Sequence, residues 1–254
     1  MIAHSIPVGR KKKMAKFKVK KEFSELVKKF EKLATSRAMW KVYSDVIEII
    51  AISIQNRFIS GKRYEQLEQR YLDIINSYTK VEVEIIIQIF ADVVEMLEEN
   101  PFLDLFGDLY MQLGLGNSSL GQFFTPFSVA ECMAELVFDK DKFIADIERK
   151  GYIDVYEPCL GGAVNIIALC KVLHENGIDY QGKMIVIGQE LSQLTAMVGY
   201  VALSLIGCAA VIKRGNTLYE PYENYFTELK KGSEIWTTPM FHLYGRWLDF
   251  KVKE

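Results

Sequence analysis

The sequence predicts an α/β protein: a helical N-terminal domain followed by a doubly wound α/β domain. Three observations carry the expectation. From Lys21 to about Glu99 apolar residues recur at helical spacing. After Gly151 four short β runs alternate with helical stretches of roughly ten to fifteen residues, the pattern of a parallel sheet with right-handed crossovers. A Gly-rich turn joins the first of those β runs to its helix.

The elements follow in order. Phe23, Leu26, Val27, Phe30 and Leu33 form a helical stripe. Trp40 to Phe58 is a more apolar helix, and Tyr64 to Tyr78 and Val81 to Leu97 are two more. Pro101 after Glu98-Glu99-Asn100 is a stop signal. The result is a bundle of about four helices, most of whose apolar residues are core. Gly114 to Leu120 reads as a loop, and Ser128 as the cap of a helix over Val129 to Phe138. Then come a β run at Tyr152 to Tyr156, a helix at Ala163 to Glu175, and a β run at Met184 to Gly188. A helix at Leu194 to Ile206 and β runs at Ala209 to Lys213 and Glu234 to Thr237 complete the series, and Trp247 to Val252 offers one more strand. The expected organisation is a basic disordered arm over 1–21, a helical domain over 22–103 and an α/β domain over 104–254.

The chain has 254 residues, enough for one large or two small domains, with half of its residues hydrophobic and a quarter charged. Its four cysteines form no C-x-x-C pair, and its three histidines have no metal spacing. Reduced, mostly buried thiols in a cytoplasmic protein, with no metal, are the expectation. No signal peptide is visible, and Val42 to Ile54 falls short of the ~20 apolar residues of a membrane span. The first 21 residues carry eight Lys or Arg and no acid, so the remainder carries −10 against the chain's −2. That arm reads either as a solvated terminus or as a phosphate-binding tail. The acidic body argues against a broad DNA-binding face of its own.

Chemistry concentrates at the ends of the β runs. The turn Glu157-Pro158-Cys159-Leu160-Gly161-Gly162-Ala163 lets a ligand approach the backbone, and the helix after it favours anionic groups. Alone it also fits an ordinary tight turn. Glu190, in Gly188-Gln189-Glu190, ends the second β run, where an acid can accept from both ribose hydroxyls or simply face solvent. Asn216, in Gly215-Asn216-Thr217-Leu218, can read an adenine edge or form a turn. The fourth run leads into Thr237-Thr238-Pro239-Met240-Phe241.

Upstream stands Gly121-Gln122-Phe123-Phe124-Thr125-Pro126. Taken in order, these five segments resemble the adenine-specific (N6) DNA methyltransferases, above all the modification subunits of type I restriction systems, over roughly residues 104 to 245. The resemblance implies a Rossmann-like S-adenosylmethionine-dependent methyltransferase domain. It assigns the cofactor to Gln122, Phe124, Thr125, Glu157, Gly161, Glu190 and Asn216. Glu157 stands where the family's D-P-x-x-G-x-G has aspartate, and Ala163 where it has the second glycine. For catalysis the resemblance implies Thr238, Pro239 and Phe241, aligned with the family's N-P-P-F. There the asparagine and the first proline's carbonyl accept from the amino group of a flipped adenine, and the aromatic ring stacks on the base. Thr238 replaces that asparagine with a shorter hydroxyl. The sheet is expected to be short of the family's seven strands, with no target-recognition region after it.

Two functions of different class follow: an adenine-specific DNA methyltransferase, or a catalytically impaired relative that binds cofactor or restriction-modification subunits. Methylation of another nucleic acid or of a protein nitrogen is a third. The implied partners are DNA, bound weakly by the lone chain, restriction-modification subunits and a second copy of the chain, and no membrane.

Overall fold

The computed structural model describes residues 20–116 and 125–243. The basic arm up to residue 19, Gln122, Phe124 and the Trp247–Val252 run lie outside them. A 3-10 turn, Lys21–Phe23, leads into α1 (Ser24–Leu33), α2 (Met39–Gln55), α3 (Lys62–Ile75), α4 (Lys80–Glu99) and α5 (Leu105–Gln112). The stripe from Phe23 to Leu33 is buried throughout. Because α2 is buried on nearly every side, its two acids need partners. Asp45 pairs with Lys41 and accepts from the Tyr78 hydroxyl at 2.9 Å. Glu48 receives two 2.7 Å bonds from Arg70. Thr79 and Glu82 open α4 with a reciprocal capping box.

The second part contains α6 (Phe127–Val137), α7 (Lys140–Lys150), β1 (Ile153–Glu157), α8 (Val164–Glu175), α9 (Tyr180–Lys183) and β2 (Met184–Glu190). It continues with α10 (Gln193–Leu205), β3 (Ala209–Arg214), α11 (Tyr225–Lys231), β4 (Ile235–Thr237) and α12 (Pro239–Leu243). Ser128 does not cap α6. The helix starts at Phe127, directly after Pro126, so Ser128 already lies in its first turn.

The strands form one sheet in the order β1-β2-β3-β4. β1 to β3 are parallel, with Glu157 beside Gly188 and Glu190 beside Arg214. β4 corrects the expectation of a fully parallel, doubly wound sheet: it runs antiparallel to β3, with Ile235 beside Lys213 and Thr237 beside Val211. The reason lies in the connection. Glu228 of α11 is ion-paired with Lys213 near the C-terminal end of β3. The chain is therefore still at that end when β4 begins, and the strand can only run back down.

α6 packs on α8, and α2 of the N-terminal part packs on α10. One continuous apolar cluster runs from Phe23 to Trp236. A smaller one, with Ile185, Ala209, Val211, Ile235 and Phe241, lies against Tyr152, Tyr222, Tyr225 and Met240. Cys170 and Cys208 are buried, whereas Cys132 and Cys159 are exposed, so the expectation of mostly buried thiols holds for only half of them. Among the described residues no helix is long and apolar enough to cross a membrane.

Candidate functional site

Three parallel strands ending together set three loops side by side. The first begins at Glu157, whose Oε1 accepts the Cys159 amide at 3.2 Å. The turn then passes through Gly161 and Ala163, both at positive φ (56° and 70°). Ala163 is the only non-glycine among the described residues in that region, which favours glycine because Cβ crowds the backbone. Two glycines to which the sequence reading gave no role make room for the turn. A Cβ at Gly199 would stand 2.9 Å from the Gly161 carbonyl, and one at Gly188 would stand 2.8 Å from Leu160. The β1 turn is thus seated on β2 and α10. No side chain caps α8; the Ile166 amide of its first turn donates to the Ala163 carbonyl at 3.0 Å, which leaves the Val164 and Asn165 amides for a ligand.

Glu190 bridges two of the loops. One carboxylate oxygen accepts the Gly161 amide at 3.0 Å and the other the Ser192 amide at 2.8 Å. Each oxygen keeps a further acceptor site. The third loop is bound to both neighbours: Gly215 donates its amide to the Glu190 carbonyl at 3.0 Å, and Thr217 its hydroxyl to the Pro158 carbonyl at 2.5 Å. Asn216 Oδ1 accepts from the Leu218 amide at 3.0 Å, the turn-forming use of that side chain, which leaves its amide group as donor. Around this rim Leu191, Leu218 and Tyr219 are 65%, 88% and 84% exposed.

Beneath the third loop lies a buried polar support that the sequence reading missed. Lys213 Nζ pairs with Glu228 at 2.9 Å and also donates to the Glu220 carbonyl at 2.9 Å. The buried Gln189 donates to that same carbonyl at 2.8 Å and accepts the Tyr222 amide at 3.2 Å. Burial pushes the Glu228 carboxyl up, but bonds from Ser233, Lys213 and the Glu223 amide outweigh it and hold it below the usual range. The only signal in the sequence was a lysine at the end of an otherwise apolar β run.

Thus Glu157, Gly161, Glu190 and Asn216 come together. Thr125 leads into α6, and Phe127 meets α8 at Lys171, about two turns from the Gly-rich turn. Thr238, Pro239 and Phe241 stand elsewhere. Because β4 runs downward, Thr238 lies beside the start of β3. Its hydroxyl donates to the Cys208 carbonyl at 2.7 Å and accepts the Ala210 amide at 2.8 Å. Thr238 and Phe241 are both buried. The helical part clasps this segment. Gln55 accepts the Thr237 amide at 3.1 Å, and Arg63 donates to the Ile235 carbonyl. His242 stacks on Phe58 at 4.7 Å, and its burial lowers the imidazole's proton affinity. These side chains close the outer edge of β4. Among the described residues no His, Cys, Asp or Glu cluster could hold a metal ion.

A family model for N-6 DNA methylase matches residues 103–251. The chain belongs to the N-6 DNA methylase family. A crystal structure from Listeria monocytogenes, described as a class I S-adenosylmethionine-dependent methyltransferase, aligns with 80% of this methylase-family chain at 14% identity and a TM-score of 0.42. The chain spans only 55% of that protein's length. No curated protein matches the chain. The methylase match includes both the loops at the ends of β1 to β3 and the Thr238 segment.

Proposed function

We propose that the chain binds S-adenosylmethionine at the C-terminal ends of β1, β2 and β3 and serves adenine-N6 methylation of DNA in the manner of a type I modification subunit. The observation that carries this is Glu190. Its carboxylate is fixed at the strand tip by two backbone amides, with an acceptor site left on each oxygen for the two hydroxyls of a ribose. The rest of the loop set fits the cofactor's other parts. Leu191 and Leu218 offer apolar faces to an adenine, Asn216 offers an amide donor to its edge, and the first turn of α8 suits a carboxylate. When bound, the cofactor supplies an electrophilic methyl group. The protein's own part is to orient it and to exclude water.

The test is calorimetric titration of S-adenosylmethionine into the wild type and Glu190→Ala. Saturable binding is expected, weakened in the variant by roughly 1 to 3 kcal/mol, the cost of unpaired partners. No heat at millimolar ligand would overturn the cofactor reading.

A second reading, a relative that holds cofactor without transferring methyl groups by itself, is favoured by Thr238. Both hydrogen-bonding capacities of its hydroxyl that matter here are spent inside the protein. A tritiated-methyl assay on mixed-sequence DNA is expected to show no transfer by the lone chain, and clear turnover would remove this reading. DNA binding, weak and fading with salt, is assigned to the Arg10 to Lys21 arm. Restriction-modification subunits are the proposed partners for sequence-specific work.

A further inference from the structure

Asn165, in the first turn of α8, belongs to none of the five motifs, yet it reaches the candidate site. Its Nδ2 donates to Glu157 Oε2 at 3.3 Å, while the other Glu157 oxygen accepts the Cys159 amide at 3.2 Å. The carboxylate is therefore held from both sides. The other end of the amide, Asn165 Oδ1, is buried and has no hydrogen-bond partner. The other unpartnered buried side-chain oxygens of the described residues, on Asn56, Tyr200 and Ser204, belong to α10 or follow α2, not to the Gly-rich turn or α8. Folded proteins satisfy nearly all such acceptors, so an unmet one beside a ligand loop marks the place of a donor.

The chemistry of that donor follows from its surroundings. Asn165 Oδ1 and the Glu157 carboxylate only accept, so together they call for a donor-rich cation such as an ammonium. The uncapped amides of α8 stand next to them and call for an anion. An α-amino acid presents both groups on one carbon. Glutamate is also one methylene longer than aspartate and has more freedom to swing, which the Asn165 bond restrains.

The geometry points to Asn165 as a positioning residue for the amino-acid end of the cofactor: Nδ2 orients Glu157, and Oδ1 accepts with it from the α-ammonium. This rests on the cofactor reading above and extends it to a residue and a ligand group. The discriminating probe is 5′-methylthioadenosine, which keeps the nucleoside, carries a neutral thioether in place of the sulfonium, and lacks the amino-acid part. The full chain, Asn165→Leu and Asn165→Ala are each titrated with S-adenosylmethionine and with this probe, after thermal melts show folding. Both variants should bind S-adenosylmethionine about tenfold or more weakly, the loss of a bond to a charged group. Affinity for 5′-methylthioadenosine should stay unchanged. Equal losses for the two ligands would assign Asn165 a merely structural role and overturn the inference, as would unchanged affinity for S-adenosylmethionine. A wild type that binds neither ligand would instead sink the cofactor reading itself.

Discussion

At the C-terminal ends of β1, β2 and β3, Glu157, Gly161, Glu190 and Asn216 are linked by short bonds through neighbouring loops, and their rim is open. On the far edge of the same sheet, Thr238 and Phe241 are packed into the interior. One family match covers both regions. The difference between them is strand direction. A strand running with β3 would deliver the residues after it to the open end. β4 runs against β3 and delivers Thr238 to the level of Cys208 and Ala210. Residue type alone therefore does not assign a role: Thr238 has a hydroxyl suited to hold a substrate amine, but here it ties β4 to β3.

The largest effect is expected at the support under the open end. Lys213 and Glu228 are almost wholly buried, with side chains 4% and 0% exposed. Lys213→Met leaves a buried carboxylate without its cation, a change that typically costs about 3 to 5 kcal/mol. It also removes one of the two donors to the Glu220 carbonyl and leaves only Gln189, so the Asn216 loop should loosen and cofactor affinity should fall. Denaturant unfolding and calorimetry measure the two. Because the Glu228 carboxyl is held low, its contribution is present above the ordinary value of 4.5 and is lost as pH falls through the folded value. Stability of the wild type should therefore drop on acidification below about pH 4.5, and Lys213→Met should flatten that drop. A loss under about 1 kcal/mol in Lys213→Met would mean that the pair does not hold the loop.

Next in size is Thr238→Asn, which sets the two regions against each other directly. In the packing described, asparagine must fit a larger amide into a filled site and gives up the bonds to Cys208 and Ala210. A loss of about 2 to 3 kcal/mol is expected. Thr238→Val keeps the shape and removes only the bonds, so it should lose about 1 to 2 kcal/mol. If Thr238 instead stood at the cofactor, Asn would leave stability intact and could raise methyl transfer. A stable, methylating Thr238→Asn variant would erase the contrast on which this comparison rests.

The contrast also explains what the sequence could and could not disclose. The α1 stripe, the apolar α2 and the three strand tips are local patterns, readable from periodicity and from the residues at a strand end. The sequence reading did not place α7, although its signals are local too: Asp139 caps it, Phe143, Ile144 and Ile147 form its stripe, and Gly151 ends it at positive φ. Its many charges hid that stripe. The direction of β4 was not readable. It depends on the Lys213–Glu228 pair and on Gln55 and Arg63, which meet β4 from far along the chain. Gly188 and Gly199 were unreadable for the same reason, since each matters only for what packs against it. Glu190, by contrast, stands at the strand tip where its position in the sequence puts it.

The smallest effect is expected from Ala163→Gly, and its sign of interest is in binding. Ala163 sits at φ 70°, where an L-residue is strained by roughly 1 to 2 kcal/mol, and glycine removes that strain. Two costs oppose the gain. Glycine loses more backbone entropy on folding, roughly 0.5 to 1 kcal/mol. Removing a fully buried methyl forfeits about 0.8 kcal/mol of burial. The terms nearly cancel, so unfolding free energy should stay within about 1 kcal/mol of the wild type. Affinity is different, because only the ligand-facing geometry counts there. The methyl is fully buried and faces the interior, so only the relaxed backbone of the turn can act on a ligand, and S-adenosylmethionine should bind more tightly by less than tenfold, under about 1.4 kcal/mol. A comparable substitution at the far edge, away from the open rim, should leave that affinity untouched. Weaker binding by Ala163→Gly would show that the methyl stiffens the turn, and relief of backbone strain at that position would then not be what limits affinity.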